Sequence, residues 1–267
     1  MKQLLKSLSL AAAIAVTATA QAAPTPSYVN IGGLMVPTGV HFEVMSIYEN
    51  AIGAVGDELR GVGEVSQING QAVSSLCTNC ELTYTFDNYI VTSLSSSEVK
   101  FSGGVMKFYL GFGSNNDFNP FLSANYASDV VAASNGTLFM TLAGHAVDSL
   151  GNTFIGGGTN INLPSAAGTG SGLADVVVGA GLGIAQSNFD TNSIETLFVN
   201  DYTDFQIGSS FSNVFTPHCT GAPLYNGCLS GSVDMRGLVI PEPESVALFG
   251  VGLLALVATT KRRRHLS

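Results

Sequence analysis

The stretch Glu81–Val91, ELTYTFDNYIV, decides the fold. Leu82, Tyr84 and Phe86 fall on one side and Thr83, Thr85 and Asp87 on the other. Successive side chains point to opposite faces of a strand, so a period of two with β-favouring residues predicts a half-buried strand. Outward from it the same character recurs. Val99–Leu110 repeats it with a break at Gly103-Gly104, across the polar turn Ser93–Ser97. Val40–Tyr48 alternates in part, with Val40, Phe42 and Val44 opposite His41 and Glu43. Glu58–Ile68, ELRGVGEVSQI, carries Gly61 and Gly63, which predict bulges or a bend rather than a helix. Asn69-Gly70 is a hairpin signal of the primed-turn kind.

Tyr28–Val36, Thr137–Val147, Val176–Ile184, Ile194–Val199 and Ser232–Ile240 extend the series to roughly ten strands. Gly111–Pro120 and Asp148–Asn152 read as loop and turn, and Gly156–Gly172 as an exposed, mobile Gly/Ser/Thr-rich passage. Asp117–Ala133 has room for a short helical turn. No period of 20 to 50 residues is visible, which disfavours a solenoid or propeller. The expectation is an all-β body, a β-sandwich or a jelly-roll-like domain or open barrel.

Between Ala23 and Ile240 the bases are Arg60, Lys100, Lys107 and Arg236, against 17 acids, a net charge of −13. Such a surface repels nucleic acid and anionic lipid and keeps a protein soluble. Four cysteines, Cys77, Cys80, Cys219 and Cys228, allow three disulfide connectivities. Local closure is the simplest: Cys219–Cys228 spans a segment with Gly221, Pro223 and Gly227, and Cys77–Cys80 is the second pair. The CxxC spacing also suits a redox pair, but no βαβ pattern surrounds it. A zinc ribbon would need a second CxxC.

Chemistry is sparse. Asp117, Asp148, Asp190, Asp201 and Asp204 lie in turn-like segments of the kind Ca²⁺ accepts, with Asn200–Asp204 the first candidate for a structural calcium. Asp and Asn also favour turns for backbone reasons alone. There is no G-x-S-x-G elbow and no H-E-x-x-H. His145, in the apolar run AGHAV, reads as a packed core histidine; a Ser-His-Asp assembly with Asp148 has no support in spacing. Trp is absent and Thr83-Tyr-Thr85 is not repeated, which argues against a sugar platform and against an ice-binding array. No catalytic residue or cofactor is assigned, and the body is expected to be non-enzymatic, with a secreted hydrolase or a calcium- or glycan-binding adhesin as alternatives.

The ends are more specific. Lys2 and Lys6 precede the apolar run Leu8–Val16, and Ala20-Gln21-Ala22 offers a small-x-small cleavage site, which makes residues 1–22 a signal peptide. At the other end, Pro241-Glu242-Pro243 is followed by the uncharged run Ser245–Thr260 and by Lys261, Arg262, Arg263 and Arg264. Sixteen helical residues reach roughly 24 Å, a little less than a hydrocarbon core of about 30 Å. Basic residues beside a span stay cytoplasmic, so the chain before Pro241 lies across the membrane. An ordinary C-terminal anchor would show the last two parts. The order of all three parts over Val239–Arg264 resembles the PEP-CTERM sorting signal, also named the ice-binding protein C-terminal domain. The resemblance implies export, recognition by a membrane-embedded exosortase, cleavage near Pro241-Glu242-Pro243, and transfer to the cell surface or an exopolysaccharide matrix. Partners expected on this reading are the Sec translocon, signal peptidase and exosortase. The exported domain would run from 23 to 238, the sorting signal from 239 to 264, and its transmembrane helix from 245 to 260.

Overall fold

The computed structural model describes residues 28–119, 125–163, 165–213 and 228–240. β1 (Tyr28–Ile31) and β2 (Leu34–Pro37) form a hairpin of their own. β3 (Val40–Asn50) and β4 (Glu58–Glu64) start the main sheet. β5 (Gln67–Ile68) and β6 (Gln71–Ala72) are joined by Asn69 and Gly70, both at positive φ, the type I′ geometry that the Asn-Gly pair favours. α1 (Val73–Leu76) leads past the Cys77–Cys80 disulfide into β7 (Cys80–Leu94) and β8 (Glu98–Phe112). Then come α2 (Tyr126–Ala133), β9 (Thr137–His145), β10 (Asn152–Thr159), β11 (Ala167–Val176) and α3 (Gln186–Phe189). β12 (Ile194–Glu195), β13 (Tyr202–Thr203), β14 (Phe205–Asn213) and β15 (Cys228–Gly237) complete the order.

The main sheet closes on itself. Each strand pairs antiparallel with the next around the ring, and β15 returns to pair with β3 from Cys228↔Asn50 to Gly237↔Val40. β9 and β10 share one position: β8 pairs with β9 over Val105–Leu110 and with β10 over Glu98–Ser102, and β11 divides its pairing the same way. The result is an eight-strand up-and-down barrel with one strand interrupted by residues 146–151. This corrects the expectation of a sandwich or jelly roll. Alternation is the same in a sandwich and in a barrel; only the closing pair of strands distinguishes them, and closure removes the unpaired edges that a sandwich keeps.

Alternation inside the barrel is not continuous. Leu82, Tyr84 and Phe86 face inward as expected; after Asn88, at φ 60°, the inward residues are Tyr89 and Val91. β8 changes phase opposite, from Val99 and Phe101 to Met106, Phe108 and Leu110, across Gly103 and Gly104 at φ 73° and 94°. Such irregularities add the local twist that a small barrel needs. Gly61 and Gly63 meet a second requirement of closure. A methyl group at Gly61 would strike the Phe86 ring, and at Gly63 the Tyr84 ring and the Ser46 carbonyl. Large rings on β7 thus fit only because β4 presents no side chain there.

One end of the barrel is filled. Phe42 lies 6.0 Å from Phe108 and 6.2 Å from Phe205, and Phe189 of α3 packs 5.7 Å from Phe205, centroid to centroid. Outside the wall, α2 begins with an Asn125/Ser128 capping box and covers Val62 and Tyr48. The Thr83 hydroxyl donates to the Ala133 carbonyl at 2.7 Å, so the outward face of β7 is buried too. The helical turn expected between Asp117 and Ala133 is this helix. The passage Gly156–Gly172 is not a mobile loop: most of it is the β10–β11 hairpin, in which Gly170 and Gly172 leave room for Phe154. Val176–Ile184 is a loop beyond Val176, and of Ile194–Val199 only two residues are strand. Residues 1–22 and 245–260 lie outside the described residues; among those described, no helix is long and apolar enough to cross a membrane.

Gly63→Ala should therefore destabilise the fold by about 2 kcal/mol or more, because the overlap is with backbone as well as ring. Gly208→Ala, where nothing lies within 4 Å, should change stability by less than about 1 kcal/mol. Denaturant unfolding of the two variants measures the difference.

Candidate functional site

The other half of the barrel holds a partly open cavity of about 60 Å³. A space needs roughly 10–15 Å³ to hold one water, so this one takes a slender group of a few heavy atoms. Its wall is almost wholly apolar, with Phe86, Tyr89, Phe101 and Phe154 in edge-on or tilted contact along one side. Glu49 is the single charged residue type in that wall.

The phase of β3 puts Glu49 there. Phe42 points inward, the pairing with β15 shifts between Val233 and Met235, and from Met45 onward the inward residues are Met45, Ile47 and Glu49. Glu49 is 7% exposed, and its carboxyl has no hydrogen-bonding or ionic partner among the described residues. Burial alone raises its pKa to about 8, so the group carries its proton at neutral pH. Tyr84 stands beside it and donates its hydroxyl to the Ser46 carbonyl at 2.6 Å. Tyr89, 6% exposed, also lines the cavity, and its hydroxyl has no partner among the described residues. An unpaired carboxyl in an apolar space costs free energy unless a ligand meets it. Sequence reading assigned no role to Glu49. The signal available was an acid in phase with Met45 and Ile47, visible only once the shift near Val44 is known.

The aspartates marked for calcium are dispersed. Asp148 binds its own turn, accepting from the Leu150 and Asn152 amides at 2.9 and 3.1 Å and from Asn152 Nδ2 at 2.7 Å. Asp204, 1% exposed, accepts the amides of Val176, Thr191 and Asn192. Asp117 accepts from Asn135 Nδ2, and Asp190 from Asn192 Nδ2. Among the described residues no group of three or more His, Cys, Asp or Glu could hold a metal ion.

His145 is neither packed in the core nor paired with Asp148. Its Nδ1 bonds to Asp175 at 2.7 Å and its Nε2 to Asp201 at 2.9 Å, and Asp201 also accepts from the Thr196 hydroxyl. With both ring nitrogens engaged by carboxylates, no nitrogen is left to serve as a base in this geometry. Burial pushes the imidazole pKa down, but the hydrogen bonds and charges of Asp201 and Asp175 outweigh it and hold it above the ordinary histidine value. The pair ties the β12–β13 loop to β9. Cys77 and Cys80 are joined as expected. Cys219, like Pro241, Glu242, Pro243 and Lys261–Arg264, lies outside the described residues, and so does any Cys219–Cys228 bond.

The chain leaves the barrel at the filled end. The Ile240 amide donates to the Asn188 carbonyl at 2.8 Å, and Asn188 Nδ2 donates to the Ile240 carbonyl at 3.0 Å. The molecule is thus a closed antiparallel barrel with a cavity toward one end and Ile240, the last described residue of the C-terminal tail, at the other. That tail is identified by comparison: residues 239–264 match the family model of the PEP-CTERM protein-sorting motif. The motif marks an exported protein with a C-terminal sorting signal, an exosortase partner and a fate in the cell envelope or at the surface. No curated protein and no solved structure matches the chain.

Because the folded pKa of His145 is raised, its stabilising contribution is complete below about pH 6.5 and is lost as pH rises through the folded value. Amide exchange at Thr196, whose N–H donates to the Asp201 carbonyl at 3.0 Å, should therefore speed up above neutral pH beyond the intrinsic base-catalysed rate. His145→Gln should remove that extra dependence, and equal profiles in the two proteins would contradict the assignment.

Proposed function

We propose that this chain is an exported, exosortase-sorted binding protein whose barrel carries a small apolar ligand at the cell surface or in an exopolysaccharide matrix, without catalysing a reaction. The observation that carries this reading is the apolar cavity in the barrel, with the unpartnered Glu49 in its wall. Small antiparallel barrels have interiors just wide enough for side chains or for one small ligand, and here side chains fill one half only. The Sec translocon and signal peptidase would act on residues 1–22. The exosortase would then hold the precursor through residues 245–260 and cut near Pro241-Glu242-Pro243. Since the tail departs from the filled end, a tethered precursor keeps its cavity on the side away from the membrane.

Binding is tested by NMR titration of the exported protein with n-butanol, a neutral probe that fits the space. Shift changes confined to cavity residues such as Met106 and Ile207, with saturation, support the reading; no saturable change in the barrel contradicts it. Sorting is tested separately. Replacing Pro241, Glu242 and Pro243 by alanine should leave full-length precursor in the membrane fraction, and unchanged release would overturn the processing step.

A further inference from the structure

We infer that the barrel cavity selects a slender alkylammonium, its cationic nitrogen paired with the Glu49 carboxylate and its hydrocarbon part against the aromatic wall; this rests on the binding reading above. The site is built around one group. Glu49 is more than nine-tenths buried, lies in the wall of the cavity and has no partner among the described residues. Of the strands around it, β7 brings Tyr84 and Tyr89, while β4, β8, β10, β14 and β15 contribute no titratable side chain to the lining. Among the described residues no lysine or arginine lines the space, so the counterion comes from outside them.

The alternatives are ranked by charge. A ligand carboxylate would bring a second negative group into an apolar space and would first have to approach a body of net charge −13. A metal cation needs several oxygen ligands, and this wall offers one carboxyl. An alcohol can bond to Glu49 only as a neutral partner, a weaker interaction than a charge-assisted one. A primary ammonium supplies both the charge and the donors. The same acidic exterior raises the local concentration of cations near the barrel.

Proton balance fixes the pH dependence. Below about pH 8 the free carboxyl holds its proton, so pairing with an ammonium forms the ion pair and releases one proton to solvent. Affinity for the amine should therefore rise by up to about tenfold per pH unit between pH 6 and 8, and affinity for an alcohol should stay flat.

The experiment is calorimetric titration of the exported protein with n-butylamine, n-butanol and butyrate at pH 6, 7 and 8. The expected result is at least tenfold tighter binding of the amine than of the alcohol at pH 8, one proton released per amine bound at pH 6, and no binding of butyrate. Glu49→Gln should cost the amine tenfold or more and cost the alcohol, a neutral partner to either side chain, much less. Equal affinities for amine and alcohol, or an amine affinity indifferent to Glu49→Gln, would overturn the inference while leaving the binding reading intact. Binding of none of the three would overturn both.

Discussion

The ladder between the last strand and the third is the constraint on which the rest depends. Nine residue pairs, from Cys228↔Asn50 to Gly237↔Val40, join segments nearly two hundred positions apart and turn an open meander into a ring. Without it both strands would present unpaired edges, a standing route to aggregation. With it, the inward faces of eight strand positions see only one another. Every later feature follows from that closure: rings must be matched by glycines, phase shifts must take up the coiling, and a polar side chain pointing inward is largely buried.

Enclosure also explains why the two ends differ. At one end Phe42, Phe108, Phe189 and Phe205 fill the cross-section, helped by α3, which is not part of the barrel wall. At the other end the wall carries Gly156 and Ser209 among larger residues, and a cavity is left. The tail is tied to the filled end by the paired hydrogen bonds of Asn188 and Ile240. Ile240 and the cavity therefore lie at opposite ends of the barrel. The Asp175–His145–Asp201 array belongs to neither; it fastens a loop.

Much of this was legible in the sequence, and the failures have physical causes. The alternation of Leu82, Tyr84 and Phe86 and the Asn69-Gly70 turn are local, so they read correctly. The sorting signal is a linear motif and needs no fold to be recognised. Closure is a contact between distant strands and leaves no local trace, so a sandwich was equally compatible. The run Gly156–Gly172 read as loop because glycine usually marks loops; in this barrel it marks places where a ring needs room. Glu49 is not legible in the sequence because the phase of β3 shifts between Phe42 and Met45, and without that shift an inward acid looks like an outward one.

Glu49 faces the inside of a closed barrel and is only 7% exposed, and its own titration tests that burial most directly. A ¹³C NMR titration of the Glu49 side-chain carboxyl should give a midpoint near 8. A midpoint near the ordinary glutamate value of about 4.3 would place the group in water and contradict its burial in the barrel.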